Sequence, residues 1–453
     1  MKKDITIVGA GLVGSLLSVY LSKRGYSISL FERRSDMRKE KLSAGRSINL
    51  ALSDRGLLAL EKVGLADSIK QICIPMHGRC IHNTDGTIAF QPYGKEGQYI
   101  NSVSRGELNK RLMSLAEENG ANIYFNEKCT AIDWDNRKVV FENEETKNTK
   151  TQKADLIFGA DGAFSAARLQ HQLHHHKFDY QQYYIDCGYK ELTIPPTANG
   201  DFALEPNALH IWPRKYYMLI ALPNLDKTFT CTLFFPFENL SDDEQRLSFK
   251  KINTEEKIKK FFHANFPDAI PLMPDYVNEF LTNPTSSLVT VKCFPWIRDD
   301  YFALIGDAAH ALVPFYGQGM NCGFEDCRIL DELIEKYATD WSKVFSEYQT
   351  MRKPDADAIA DLAIYNFTEM RDKTADPKFL LQKKIENRFA QLHPDKWLPL
   401  YSLVTFSPEI RYSDAMKKGE QQEKIMSEIM KMPGLEKKWE SEEIEKLMLR
   451  KIK

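Results

Sequence analysis

The chain has 453 residues, and 61 basic against 63 acidic side chains leave a formal net charge of −2. That length is too great for one ordinary core, so two interlocked domains are expected, and the charge balance argues against a nucleic-acid partner, whose binding would leave a basic face. No apolar stretch approaches the roughly 18 residues needed to span a bilayer, and the eight cysteines show no CxxC spacing, so free thiols in a soluble, cytoplasmic protein are expected.

The N-terminus opens on Lys2-Lys3 and an apolar run, but Asp4 and the glycines interrupt any secretory pattern. Asp4-Ile-Thr-Ile-Val-Gly9 reads as a short buried strand. Gly9-Ala-Gly11-Leu-Val-Gly14 follows at once and opens a helix carrying Leu12, Leu16, Leu17, Tyr20 and Leu21. A second strand, Ser27 to Phe31, ends on Glu32. This is the β-α-β dinucleotide fingerprint in its proper context. Gly9 allows the tight turn, Gly11 lets a pyrophosphate approach the backbone, and Gly14 lets helix and strand pack closely. The helix N-terminus offers free N–H groups to the phosphates, and Glu32 can accept from ribose hydroxyls. The motif alone leaves FAD and NAD(P) both open.

A basic loop runs from Arg33 to Arg46, then Ser47 to Ala51 and a helix over 54–63. Residues 79–90 read as a hairpin turning at Asp85-Gly86. Ser104 caps a helix from Arg105 to about Asn119, with Glu107 as the acid of a capping box. Short strands follow near 123–125, 131–134 and 139–141, and the polar run Glu142 to Lys153 reads as a loop or hairpin tip. Asp155 to Gly159 is a buried strand delivering Asp161-Gly162. Residues 184–236 are strand-rich and read as an inserted sheet. The strand Phe302 to Ile305 returns the chain to the nucleotide domain and ends on Gly306-Asp307. Beyond Asn321 nearly everything reads as helix.

Two further signals join the fingerprint. Gly306-Asp-Ala-Ala-His310, continuing through Pro314-Phe-Tyr-Gly-Gln-Gly-Met-Asn321, puts an aspartate at a strand end and a Gly-rich turn before a helix. That helix start could hold negative charge developing on a reduced flavin. Asp161-Gly162-Ala-Phe-Ser-Ala-Ala-Arg168 is the other; alone it could be a capped helix start. Other features take the plainer reading. His171-Gln-Leu-His-His-His176 lacks partner spacing for a metal site. Cys322 and Cys327 read as packing thiols, and His310 as a structural hydrogen-bonding group.

Together the three signals, in this order, resemble the single-component FAD-dependent aromatic hydroxylases of the p-hydroxybenzoate hydroxylase type. The absence of a second GxGxxG fits that family, whose NADPH visits transiently. Longer runs resemble its kynurenine-hydroxylating branch: Gly45 to Ser53, Ile74 to Met76, Glu191 to Pro196, His210 to Arg214, Val313 to Asn321, Tyr365 to Arg371 and Pro399 to Phe406. Eukaryotic members carry a C-terminal membrane-anchoring helix. No such apolar run is present here, so no membrane anchor is expected.

The resemblance implies an α/β fold: a Rossmann-like FAD-binding domain, an inserted mostly β substrate domain and a helical C-terminal part. The expected division is 1–75, 101–180 and 296–340 for FAD binding, 76–100 and 181–295 for the substrate domain, and 341–453 for the helical region. It implies tightly bound FAD, transient NADPH, and O₂ converting L-kynurenine to 3-hydroxy-L-kynurenine; it sets no oligomeric state. The cofactor residues implied are Gly9, Gly11, Val13, Gly14, Phe31, Glu32, Arg33, Arg34, Ala51, Arg105, Thr130, Asp161, Asp307, Gly319, Met320 and Asn321. Those implied for substrate are Arg79, Tyr93 and Tyr401 at the carboxylate, Gln318 at the ketone, and Asn366, Glu369 and Met370 nearby. No catalytic base and no metal are implied. Two other readings stay open: a hydroxylase of another aromatic acid, and a non-catalytic FAD-binding protein.

Overall fold

The computed structural model describes residues 3–39, 49–238, 247–369 and 376–452. Met370 and the run 45–48 lie outside the described residues. The first sheet has six strands, in the order Ile297–Arg298, Phe302–Leu304, Leu156–Gly159, Asp4–Val8, Ser27–Phe31 and Asn122–Tyr124. All neighbours in it are parallel except the Ile297–Arg298 edge. Ile5, Ile7, Leu156, Ile157, Phe158 and Leu304 are buried, as expected of parallel strands covered on both faces. The fingerprint helix spans Leu12–Lys23 and buries every residue from Gly14 to Leu21.

Glycine is required at two points of that first crossover. A Cβ on Gly14 would stand 2.0 Å from the Gly9 carbonyl oxygen. Gly9 has φ +102°, and a Cβ there would lie 2.6 Å from the Ala160 carbonyl oxygen. The helix, the first turn and the strand end at Gly159 therefore meet with no space for a side chain.

The second sheet has seven strands, in the order Ser286–Phe294, Asp179–Ile194, Phe229–Phe235, Tyr217–Pro223, Ala208–Arg214, Gly78–His82 and Ile88–Pro92. It is antiparallel except where Ala208–Ile211 runs parallel to Gly78–Ile81. The period-two pattern sends Leu192, Trp212, Leu219, Cys231 and Leu233 to one face, packed on Phe261, Phe262 and Tyr276 of the helices Glu255–Asn265 and Tyr276–Thr282. Ile211, Met218 and Phe234 face the other way, against Val313, Phe315, Tyr316 and Ile359. The sheet is thus clamped between its own helices and the Gly-rich turn.

Residues 142–153, read as a loop or hairpin tip, form a hairpin whose second strand, Thr149–Lys153, pairs antiparallel with Lys138–Glu142. Ser104 caps its helix as read: its Oγ accepts from the Glu107 N–H at 3.4 Å and the helix spans Arg105–Glu118. The C-terminal part is helical, with long helices Gly319–Tyr337, Trp341–Thr368, Pro377–Leu392 and Tyr412–Ile429. Its last segment builds a small core of its own from Phe389, Trp397, Met426, Ile429, Ile444 and Met448.

Candidate active site

The nucleotide end is assembled by the first crossover. Gly11 precedes the helix, no side chain caps that helix start, and its first turn holds no acid. A Cβ on Gly11 would meet nothing within 4 Å. The helix therefore presents unpaired N–H groups to open space. Glu32 is held beside it: Oε2 accepts from the Ala10 N–H at 3.1 Å and Oε1 from the Arg34 N–H at 3.0 Å. Arg33 and Arg34 are exposed next to it.

Other residues implied for the cofactor also make defined contacts within the chain. Phe31 is buried, its ring stacked on Phe141 at 3.9 Å and Tyr124 at 4.8 Å, while its carbonyl accepts from the Gly9 N–H at 2.7 Å. Only its backbone borders the cradle. Val13 fills the notch left by two glycines: Cβ atoms on Gly306 or Gly323 would lie 2.9 and 2.5 Å from its methyls. Asp161 is engaged within its own turn, accepting from Ser165 Oγ and from the N–H groups of Ala166 at 2.7 Å and Ala167 at 3.1 Å. These bonds reinforce the N-cap of the helix Ala166–Leu173 at Ser165, whose Oγ accepts from the Arg168 N–H at 2.9 Å. Arg168 then ties that helix to the third motif by donating to the Ala308 carbonyl at 2.8 Å. Thr130 is exposed; its carbonyl accepts from Gln170 at 3.3 Å.

Asp307 is the single exposed residue in an otherwise buried run from Tyr301 to Ala311. A carboxylate reachable by solvent inside such a run lines a cleft. Burial raises its pKa, with Arg105 opposing. Arg105 also opposes the rise at Glu191, whose pKa burial pushes up to about 7. Arg105 thus serves two acids from two different sheets. The turn that follows is locked by Asn321, whose Nδ2 donates to the carbonyls of Ala51 and Gly317, both at 2.8 Å, and whose Oδ1 accepts from the Ser53 N–H at 3.0 Å. The helix Gly319–Tyr337 starts here, with no side-chain cap and no acid in its first turn. Gly319 faces open space, and Met320 beside it is buried.

Two uncapped helix starts, a glycine cradle, a ribose-level acid and a cleft aspartate fit an FAD molecule laid from Glu32 to Asn321.

The pocket beyond the turn holds three stacked phenols. Tyr93 and Tyr401 lie 5.6 Å apart at 13°, and Tyr401 and Tyr316 5.7 Å apart at 17°. The Arg79 guanidinium sits 5.1 Å from the Tyr93 ring centroid and 4.6 Å from that of Tyr401. Arg79 Nε and the Tyr93 hydroxyl are buried without a hydrogen-bond partner. Among the described residues no carboxylate lies within 4 Å of Arg79. Buried donors without partners are costly, and two of them together mark where an anionic group docks. Asn366 Nδ2 donates to the Phe315 carbonyl at 2.7 Å. Gln318 Oε1 accepts from the Tyr412 hydroxyl at 2.8 Å, which orients the amide with its NH₂ as the donating end.

Beneath the turn lies a buried charge cluster that sequence reading did not foresee. Asp326 Oδ2 accepts from His310 Nε2 at 2.6 Å and from the Gly306 N–H at 3.1 Å. Arg352 donates to Asp326 Oδ1 and to Glu325 Oε2, both at 2.7 Å, and Glu325 also takes Arg55 at 2.9 Å. Burial lowers the His310 pKa and Asp326 raises it, so that it stands well above the ordinary imidazole value. His310, Cys322 and Asp326 are close enough to suggest a metal site. Arg352 donating to both Asp326 and Cys322 Sγ fills that place with a cation already. His310 is structural, as expected, and Cys322 and Cys327 are buried thiols. His171 is buried among Trp134, Phe178 and Phe302 with neither ring nitrogen bonded.

Arg79, Tyr93 and Tyr401 therefore meet directly, with Tyr316 stacked on Tyr401, while Asn366 and Gln318 are tied to the adjoining turn and to Tyr412. Tyr316 was missed as an individual residue, although the quoted run Val313 to Asn321 contains it.

This arrangement is an FAD-binding fold of the flavin monooxygenase class, and a family model described as "FAD binding domain" matches residues 2–363. Among solved structures, the tetrameric form of 2-methyl-3-hydroxypyridine-5-carboxylic acid oxygenase shares the fold, with a TM-score of 0.66 and 20% identity over 85% of this chain and 97% of that one. Kynurenine 3-monooxygenase of Christiangramia forsetii is 50% identical over 100% of this chain and 99% of its own length. That of Sus scrofa is 43% identical over 94% and 88% respectively. The chain belongs to the kynurenine 3-monooxygenase family. Its cofactor is FAD. No helix among the described residues is long and apolar enough to cross a membrane.

Proposed function

We propose that this chain hydroxylates L-kynurenine on the ring carbon beside the aromatic amine, consuming NADPH, a proton and O₂ and yielding 3-hydroxy-L-kynurenine, NADP⁺ and water. The observation that carries the reading is Arg79, a buried guanidinium between two phenol rings with no acid to pair it. A planar fork of donors suits a carboxylate. Tyr93 and Tyr401 flank that carboxylate, and the Gln318 amide donates to the ketone. Asn366 holds the long helix against the Gly-rich turn and so sets the depth of the pocket. Bound FAD supplies the redox and oxygen-activating chemistry.

The protein's own contribution is orientation and exclusion of water. Phe234, Phe315, Met218 and Ile211 pack together as the rigid core beside the Gly-rich turn, and the substrate's own amino group activates the adjacent carbon, so no side-chain base is assigned. The expected division of the chain into FAD-binding, substrate and helical parts is retained within this proposal. Eight buried free cysteines support a reducing, cytoplasmic setting. The test is NADPH oxidation with and without L-kynurenine, with the product identified by mass and retention. Oxidation that is not accompanied by a hydroxylated kynurenine would refute the proposal.

A further inference from the structure

The seven-stranded sheet ends differently on its two sides. Its far edge, Ser286–Phe294, is covered: the Val291 N–H donates to the Ala311 carbonyl at 3.0 Å, and Lys292 on that edge pairs with Asp361. The near edge, Ile88–Pro92, is exposed at every residue. Ile88 is 60% and Phe90 55% exposed.

The hydrogen-bond alternation decides which backbone groups of that edge face outward. The Asn83 N–H donates to the Thr87 carbonyl at 2.9 Å, and the Tyr93 N–H to the His77 carbonyl at 3.2 Å. Bonded and non-bonded pairs alternate along an antiparallel ladder. Ala89 and Gln91 therefore turn their backbone groups toward Ile81 and Arg79, and Ile88, Phe90 and Pro92 turn theirs out. The outward row offers the N–H groups of Ile88 and Phe90 and the carbonyls of all three residues, since proline has no N–H. Native edge strands are usually blunted by charge, a bulge or a covering segment. Here residues 86–94 carry no charge in a chain that is 27% charged, and the pairing with Gly78–His82 runs without a register shift. The Phe90 ring lies against Gly78, where a Cβ would stand 2.6 Å from its Cζ.

We propose that Ile88–Pro92 is the contact through which two copies of this chain form a twofold dimer, joining their seven-stranded sheets into one. The outward row is complementary to itself. In an antiparallel register centred on Phe90, the two Phe90 residues exchange both backbone bonds, and each Ile88 N–H meets the Pro92 carbonyl of the second copy. Every outward N–H then has an acceptor, and the proline closes the ladder at each end. Ile88, Phe90 and Pro92 of both copies share one face of the joined sheet. The first charges beyond the neutral run, Asp85 and Lys95, each stand five residues from Phe90. The same register therefore sets each beside its opposite. Register, neutrality and flanking charges thus fit a second copy of this chain, and the isologous contact closes on itself.

The test is sedimentation velocity of the FAD-loaded full chain over a range of concentrations, with light scattering for mass. Phe90→Lys puts like charges opposite one another on the twofold axis. Ile88→Pro removes an outward N–H and no bond within the chain. Leu225→Lys, at a residue 58% exposed on the turn after Tyr217–Pro223, is the control.

The wild type should run at twice the mass of one chain. Phe90→Lys should raise the dissociation constant by roughly thirtyfold or more, the scale of a lost aromatic anchor. Ile88→Pro should raise it by roughly tenfold, the scale of lost backbone bonds at each end of the contact. Leu225→Lys should match the wild type, and every variant should keep its FAD. If Phe90→Lys fails to fold, Ile88→Pro carries the test. A wild type that stays monomeric at every concentration would overturn the proposal, whatever other strand the edge accepts. A dimer that neither edge variant weakens, or that Leu225→Lys weakens as much, would overturn it as well.

Discussion

Replacing Arg79 by alanine separates substrate binding from folding. In the free protein the guanidinium is buried, stacked on two phenol rings, and has no acid within 4 Å among the described residues. Its removal gives up cation–π contacts worth roughly 0.5–2 kcal/mol each, but it also removes the cost of an unpaired buried charge. The two effects oppose each other, so the unfolding midpoint should move little. With substrate bound, the same change leaves a carboxylate buried without its partner. That costs about 2–5 kcal/mol, equivalent to a loss of affinity of roughly 30-fold to several thousand-fold. Arg79→Lys should fall between, since it keeps the charge and loses the planar fork. Titration of the flavin absorbance with L-kynurenine gives the affinity, and thermal unfolding gives the stability. Affinity within threefold of wild type would remove Arg79 from the site. A large stability loss matching the affinity loss would show that Arg79 acts on the fold instead.

Three other changes test the cofactor end, the buried cluster and the acid response. Gly11→Ala meets no protein atom within 4 Å, so the chain should fold, yet the methyl should crowd a pyrophosphate at a cost of roughly 1–3 kcal/mol; FAD retained after gel filtration checks this. Arg352→Met leaves Asp326 and Glu325 short of a buried partner and should destabilise by roughly 3–5 kcal/mol in urea unfolding. Burial lowers the pKa of His82 to about 4 and of His171 to about 3. The unfolded chain binds those protons near pH 6.5, so the contribution of these two imidazoles should be complete above that pH and be lost as pH drops toward 4, by roughly 3 kcal/mol from His82 alone. His310, whose pKa is raised, is protonated in both states below pH 6.5 and adds nothing to this acid loss. Unfolding free energies measured between pH 4 and 8 that show no acid decline would refute the assignment of neutral buried imidazoles.

The nucleotide cradle was legible because its physics is local. Gly9, Gly11 and Gly14 act within a single turn, and Ser104 caps its helix through an N–H three residues away. The strand Thr149–Lys153 was not legible, because an exposed edge hairpin has no apolar alternation and is specified by its partner Lys138–Glu142. Asp161 has the spacing of a cofactor ligand, and its bonds to the helix start that follows it were not legible in that spacing. Arg79 could be chosen from the other arginines only through family resemblance; what distinguishes it physically is the pair of rings from residues 93 and 401, which only the folded chain brings together. Tyr316 and Arg352 share that character. Each is defined by partners from other segments, and no window of sequence contains the set.

The hairpin Gly78–Pro92 completes a sheet whose other five strands come from residues 179–294, while the stretches on either side of it belong elsewhere. The six-stranded sheet is likewise sewn from four separated stretches, 4–31, 122–124, 156–159 and 297–304. No single scissile point therefore divides the molecule into self-sufficient halves. A fragment ending near residue 160 would carry the glycine cradle but lack the strand that delivers Asp307, and a fragment starting near 180 would lack the strand that bears Arg79. Cofactor and substrate grips are stitched by the same thread, so a nick in the connections between the sheets should release both, and complementation should require both pieces at once.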